Sequence, residues 1–137
     1  MSNEVSAADA TAATSARKVL VIDDSNTIRR SAEIFLKQGG YDVVLAEDGF
    51  DALAKVNDHD PQLIFCDILM PRLDGYQTCA IIKRHPRFSK VPVIMLSSKD
   101  GLFDKARGRM VGSEDYLTKP FTKDQLLQAV QTHGRAA

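Results

Sequence analysis

Four apolar runs of this sequence end on side chains that can do chemistry. VLVIDDS (residues 19–25) ends on Asp23 and Asp24, and QLIFCDILMPRLDG (residues 62–75) carries Asp67 straight after Leu63–Cys66, four residues before Pro71. PVIMLSS ends on Ser97 and Ser98, and EDYLTKPF ends on Lys119 followed by Pro120. Each has an ordinary explanation when taken alone. Asp and Ser cap helices, and a lysine is at ease where a strand meets water. Arriving together, they would place three carboxylates, a hydroxyl and an ammonium at one site.

Such a site has a definite chemistry. Two carboxylates about 4 Å apart repel by about 4 kcal/mol at an effective dielectric near 20, so three cannot all stay ionised without compensation. Either one carboxyl keeps a proton or a cation settles among them. A small set of oxygen ligands suits Mg²⁺, which keeps several waters and shares its coordination with phosphoryl oxygens. With a lysine and a hydroxyl beside it, one carboxylate becomes a nucleophile for a phosphoryl group, and its neighbours neutralise the equatorial oxygens.

The runs must be strands for this convergence to occur, and the chain between them must be helical. From Lys18 the pattern alternates. KVLVID (18–23), YDVVLA (41–46), the stretch around LIFCD, PVIMLS (92–97) and EDYLT (114–118) read as short strands. Between them, Ile28, Ala32, Phe35 and Leu36 recur at helical spacing, and Gly39 and Gly40 stop that helix. GFDALAKVND (49–58) forms a second helix ending near Pro61, and Tyr76–Arg84 a third with Cys79 and Ile82 on one face. Leu102, Phe103, Ala106 and Met110 mark a fourth. In the fifth, Thr122 and Gln125 fit a capping box ahead of Leu126, Leu127 and Val130. Five strands alternating with five helices imply an α/β fold, a doubly wound parallel sheet covered on both faces. Its working site lies outside the carboxyl ends of the strands, where the four runs end.

Composition narrows the field. The 137 residues suit one domain that needs no disulfide or metal to fold. Lys plus Arg and Asp plus Glu stand at 18 each, which argues against a protein living on nucleic acid. The basic stretches at 83–90 and 105–109 read as solvated faces. Cys66 and Cys79 have no metal-type spacing, and Cys66 reads as a small buried hydrophobe. No run is long enough to span a membrane, and MSNEVSAADATAATSA is no signal peptide. The expectation is a cytoplasmic protein with a disordered tail over 1–16, a domain over 17–133 and a short tail over 134–137. The chain ends soon after its fifth helix, so no DNA-binding or enzymatic output domain is expected.

VLVIDDS, FCDILMPRLDG, IMLSS and YLTKPF, in this order, resemble the receiver domain of two-component response regulators. The likeness spans nearly everything from Lys18 to His133. It implies a flavodoxin-like (βα)₅ fold with strand order 2-1-3-4-5, the order for which the chemotaxis receiver CheY is a known example. It implies that Asp67 accepts the phosphoryl group and that Asp24 holds Mg²⁺ directly, with Asp23 acting mostly through water and the Leu69 carbonyl completing the ligands. Ser97 and Lys119 would engage the phosphoryl oxygens, across a cis Lys119–Pro120 bond. Tyr116 matches the aromatic whose rotamer follows phosphorylation. Leu69 departs from the polar side chain of many relatives, and an apolar group there cannot orient attacking water, so slow self-dephosphorylation is expected.

DGFDALAK, PRLDGYQTCAIIK and SSKDGLFDKARGRMVGSEDYLTKPF are similar to the PilG-type branch of that family, regulators of type IV pilus twitching motility. This implies a histidine kinase or histidine phosphotransfer domain as donor and a pilus or motility protein downstream. A monomer is expected, with dimerisation on phosphorylation left open. Readout would use the surface of the fourth helix, fifth strand and fifth helix, although Phe103, Met110 and Leu117 read first as core. Three rival readings fit the residues less well. A haloacid-dehalogenase-type phosphatase needs a second acid where Leu69 stands. A flavin binder would be repelled by the acids of DDSNT. A receiver-like interaction module independent of phosphorylation is disfavoured by the full set of acids, hydroxyl and lysine. The protein is therefore expected to be a signalling domain and not a turnover enzyme.

Overall fold

The structure is a computed structural model, and it describes residues 17–98 and 102–134. The expected tail over 1–16 and all but Gly134 of the expected C-terminal tail lie outside the described residues. The elements run β1 (Lys18–Ile22), α1 (Asn26–Gln38), β2 (Asp42–Ala46), α2 (Gly49–His59), β3 (Leu63–Asp67), α3 (Gly75–Arg84), β4 (Val93–Ser97), α4 (Leu102–Met110), β5 (Asp115–Thr118) and α5 (Lys123–His133). The five strands form one sheet in the order β2-β1-β3-β4-β5, parallel throughout. This is the expected architecture.

Alternation along each strand builds two cores. Leu20, Ile22, Ile64, Cys66, Val93 and Met95 face α2 and α3, meeting Ala52, Val56, Cys79 and Ile82. Val19, Val21, Leu63, Phe65, Ile94 and Leu96 face α1 and α5, meeting Ala32, Leu36, Leu126 and Val130. Both faces of the central strands are dry, so β1, β3 and β4 read as unbroken apolar runs. The helices start on side-chain caps. Ser25 accepts from the Ile28 amide, Asp48 from Asp51, and Asp74 and Thr122 each form a reciprocal capping box, including the one expected at Thr122 and Gln125.

One expectation fails in α4. Helical spacing put Ala106 and Met110 inward, yet Ala106 is exposed and Met110 is 85% exposed. Among positions 105–110, the part of α4 whose burial is described, the inward residue is Gly108, where an added Cβ would lie 2.8 Å from Ser113 Oγ and 3.5 Å from Met95 Cγ. Leu117 does pack against the α1/α5 core, and the Phe103 side chain lies outside the described residues. Lys83 also departs from a solvated reading: its ammonium donates to the Val91 carbonyl at 2.8 Å and pairs with Glu114 at 3.1 Å. No helix among the described residues is long and apolar enough to cross a membrane.

Candidate functional site

The register of the sheet brings the chemical residues together. Ile22 stands beside Cys66, so the next residues, Asp23 and Asp67, leave the sheet side by side. Asp67 stands beside Leu96 and Ser97 beside Thr118, which places Ser97 and Lys119 on the same edge. Alternation then sorts them by face. Asp23 continues the Val19–Val21 series, Asp67 the Leu63–Phe65 series and Lys119 that of Leu117, all of which face α1 and α5. Tyr116 falls on the opposite face and packs against the α2/α3 core.

Carboxylate oxygens of Asp23, Asp24 and Asp67 lie within 4.8 Å of one another. Asp23 is fully buried and Asp67 is 2% exposed, while Asp24 is exposed to solvent. The Lys119 ammonium sits between the buried pair, 3.0 Å from Asp67 Oδ1 and 3.2 Å from Asp23 Oδ2. The Lys119–Pro120 bond is cis, as the resemblance implied. The other Asp23 oxygen accepts from the Ser25 amide at 2.8 Å, and the Arg29 guanidinium holds the Asp23 carbonyl at 2.6 Å. The first turn of α1 thereby fixes the end of β1.

Burial pushes the Asp67 carboxyl up to about 7. Lys119 pulls it down, whereas the Asp23 charge and a hydrogen bond with Asp24, which requires a protonated partner, push it up. For Lys119, burial works toward the neutral amine, but Asp67 and Asp23 outweigh it and raise its pKa, keeping it cationic. Three acids against one lysine leave the pocket short of positive charge. Oxygens around one Mg²⁺, each at about 2.0–2.1 Å, stand no more than about 4.2 Å apart, so the observed cluster needs little movement to hold one. The donor set is hard oxygen throughout. The residues fit the ion.

Leu69 lies beside this pocket with its side chain 70% exposed, and its amide donates to Asp67 Oδ1 at 3.4 Å. Ser97 is buried, and its carbonyl accepts from the Lys119 amide at 2.6 Å. The half-buried Tyr116 has the Lys105 ammonium 5.6 Å from its ring centre. Sequence reasoning missed Ser25, whose place at a helix start was a usable signal, and Gly75. A Cβ on Gly75 would overlap the Asp67 carbonyl oxygen and come within 2.7 Å of Ile68 Cα. The obstacle is backbone, which cannot rotate away. Gly75→Ala is therefore expected to cost about 1–3 kcal/mol of stability, measurable by urea denaturation; an unchanged midpoint would mean the turn relaxes freely.

Comparisons with known proteins follow the same lines. The family model for the response regulator receiver domain matches residues 19–131. Protein PilG of Pseudomonas aeruginosa is 67% identical over 116 residues, covering 85% of this chain and 86% of that protein. The structure of Vibrio cholerae chemotaxis protein CheY4 superposes with a TM-score of 0.82 at 33% identity, covering 85% of this chain and 97% of that one. The receiver domain of Francisella response regulator 1452 does so with 0.78 at 37% identity, covering 85% and 94%.

Proposed function

The chain belongs to the response regulator receiver domain family, and from that premise we propose that it works by accepting a phosphoryl group on Asp67 in the presence of Mg²⁺. As a receiver it takes its signal from a phosphodonor kinase and passes it to a downstream target. The observation that carries the site assignment is the pairing of Lys119 with two buried carboxylates beside a third acid. In such a pocket Asp67 is the acid that ends the middle strand of the sheet, and it is almost wholly buried. A phosphorylation-independent interaction module would have no use for a buried lysine held between acids.

Each residue has a part in the proposal. Lys119 and the Leu69 amide hold Asp67 Oδ1, which leaves Oδ2 as the attacking oxygen. The new bond runs from Oδ2 to phosphorus as the bond from phosphorus to the donor nitrogen breaks, and the donor imidazole leaves with the electron pair. Asp23, Asp24, Asp67 and the Leu69 carbonyl would hold Mg²⁺, which when bound neutralises charge on the phosphoryl oxygens. Lys119 stays charged to pair with those oxygens, and Ser97 offers its hydroxyl. With Ser97 drawn toward the phosphoryl group, Tyr116 and the surface of α4, β5 and α5 shift between two states. Incubating the protein with acetyl phosphate and Mg²⁺ should add the mass of one phosphoryl group, and adding EDTA should prevent it. No added mass would refute the proposal.

The identity to PilG and the motifs shared with its branch support a cytoplasmic role in type IV pilus twitching motility. The donor would be a histidine kinase or histidine phosphotransfer domain and the target a pilus or motility protein. The receiver unit spans 17–133 and acts on itself alone, without a turnover substrate. A monomer that can dimerise when phosphorylated fits this role.

The exposed Leu69 supports a long-lived phosphorylated state, because a branched alkyl group beside Asp67 cannot orient water for attack. Leu69→Asn is expected to shorten the lifetime of the phosphoryl group by about tenfold, a modest share of what positioned general acid–base groups contribute. Loss of the added mass over time in Mg²⁺ buffer measures it, and equal lifetimes would count against a role for this side chain.

A further inference from the structure

Arg72, in the loop between β3 and α3, makes contacts that neither core requires. Its backbone lies in the left-handed region at φ 69°, which L side chains rarely adopt. Its guanidinium donates to Asp48 Oδ2 at 2.9 Å, a partner 24 residues away, and stands 5.4 Å from the centre of the Phe50 ring. Asp48 is the N-cap of α2, and its other oxygen accepts from the Asp51 amide at 2.7 Å. Both Asp48 oxygens are thus engaged, one fixing the helix start and one holding the loop. Beneath this contact Leu73 presses on Gly49, where an added Cβ would lie 2.8 Å from Leu73 Cδ2. The clamped loop is the one that carries Leu69, whose amide reaches Asp67 Oδ1.

We infer that Arg72 is a positioning residue of the phosphorylation site, clamping the β3–α3 loop to the start of α2 through Asp48 and Phe50 so that the Leu69 carbonyl stays where a divalent cation needs it. The inference rests on the reading of the Asp67 pocket given above. An isolated surface ion pair would carry little meaning. Here one guanidinium engages both a carboxylate and an aromatic face, at a backbone conformation that its own side chain does not favour. A planar cation with several donors suits both partners at once.

The test uses the full chain and Mg²⁺ alone, followed by calorimetric titration. Arg72→Gly removes the clamp while accepting positive φ without strain, and Asp48→Asn removes the charge while keeping a good helix cap. The Arg72 side chain is 65% exposed, so the expected loss of Mg²⁺ affinity is about three- to tenfold, at or below the low end for groups that support metal ligands. The double variant should lose no more than either single one. Arg72→Lys should recover part of the loss, since an ammonium can reach Asp48 but has no plane to lay on Phe50. In the metal-free protein, amide exchange at Leu69 and Leu73, whose amides donate to Asp67 Oδ1 and the Pro71 carbonyl, should accelerate in Arg72→Gly. Unchanged Mg²⁺ affinity in Arg72→Gly, or additive losses in the double variant, overturns the clamp while the site stands. A wild type that binds no Mg²⁺ removes the reading of the site, and the clamp with it.

Discussion

Asp67→Asn should take up no phosphoryl mass from acetyl phosphate and Mg²⁺, and above neutral pH it should melt several degrees higher than the wild type. The first result follows from removing the proposed nucleophile: an amide of the same shape cannot form the acyl phosphate. The second follows from the cost of burying the acid. Asp67 is pushed up to about 7 in the folded protein from 3.8 in the reference state. A carboxyl raised by folding holds its proton longer in the native state. Below the lower value both states are protonated and folding carries no cost. As pH rises from there the unfolded chain ionises first, stability falls, and the full cost is present above about 7. Roughly three pH units at 1.36 kcal/mol each bound that cost at about 4 kcal/mol. Asparagine does not recover all of it, because Lys119 then keeps only Asp23 as a charged partner, at 3.2 Å. A gain of about 1–3 kcal/mol is expected, or about 3–10 °C in melting temperature. Calorimetry in EDTA at pH 8 and at pH 4 checks it: the gap should be wide at pH 8 and nearly closed at pH 4. A variant that melts below the wild type at pH 8 would show the ionised acid to be a net stabiliser, and phosphoryl mass on the variant would move the acceptor elsewhere.

That destabilised acid was legible in the sequence because strands of a parallel sheet end together. Once the five runs were read as strands, Asp23, Asp67, Ser97 and Lys119 had to meet on one edge. The finer arrangement was harder to read. Asp23, not Asp24, is the buried acid bound to Lys119, since it continues the Val19–Val21 series. In a strand whose two faces are both covered, every position is apolar, so the sequence offers no contrast to show which face a terminal acid takes. Helix α4 misled for a related reason. Periodicity counts apolar side chains, but among positions 105–110 of α4 the buried residue is Gly108, which has none, and the apolar Met110 is left in solvent. The pairing of Arg72 with Asp48 had no local signal. It joins two loops 24 residues apart, and only the placement of those loops by the sheet brings the two charges together.

Mg²⁺ affinity should rise about tenfold per pH unit below 7 and level off above it, because binding must expel the proton that Asp67 keeps. The metal-free pocket manages its acids by leaving Asp67 protonated until about neutrality. Its hydrogen bond with Asp24 depends on that proton, which a divalent ion would replace. Lys119 cannot supply the proton instead, since its neighbours hold its pKa above the ordinary lysine value. Between pH 5 and pH 7 the apparent dissociation constant is therefore expected to fall by about fiftyfold, with close to one proton released per ion bound at the acidic end. Calorimetric titration in two buffers of different ionisation enthalpy counts that proton directly: about one at pH 5.5 and almost none at pH 8.5. Lys119→Gln moves the inflection upward, since Lys119 is the group that lowers the Asp67 pKa, and it should leave binding weaker at pH 7 than at pH 8. Affinity that does not change across this range, with no proton released, would mean that Asp67 is already ionised in the empty pocket. Lys119 alone would then suffice to balance the acids, and the pocket's shortage of positive charge would no longer argue for a metal ion.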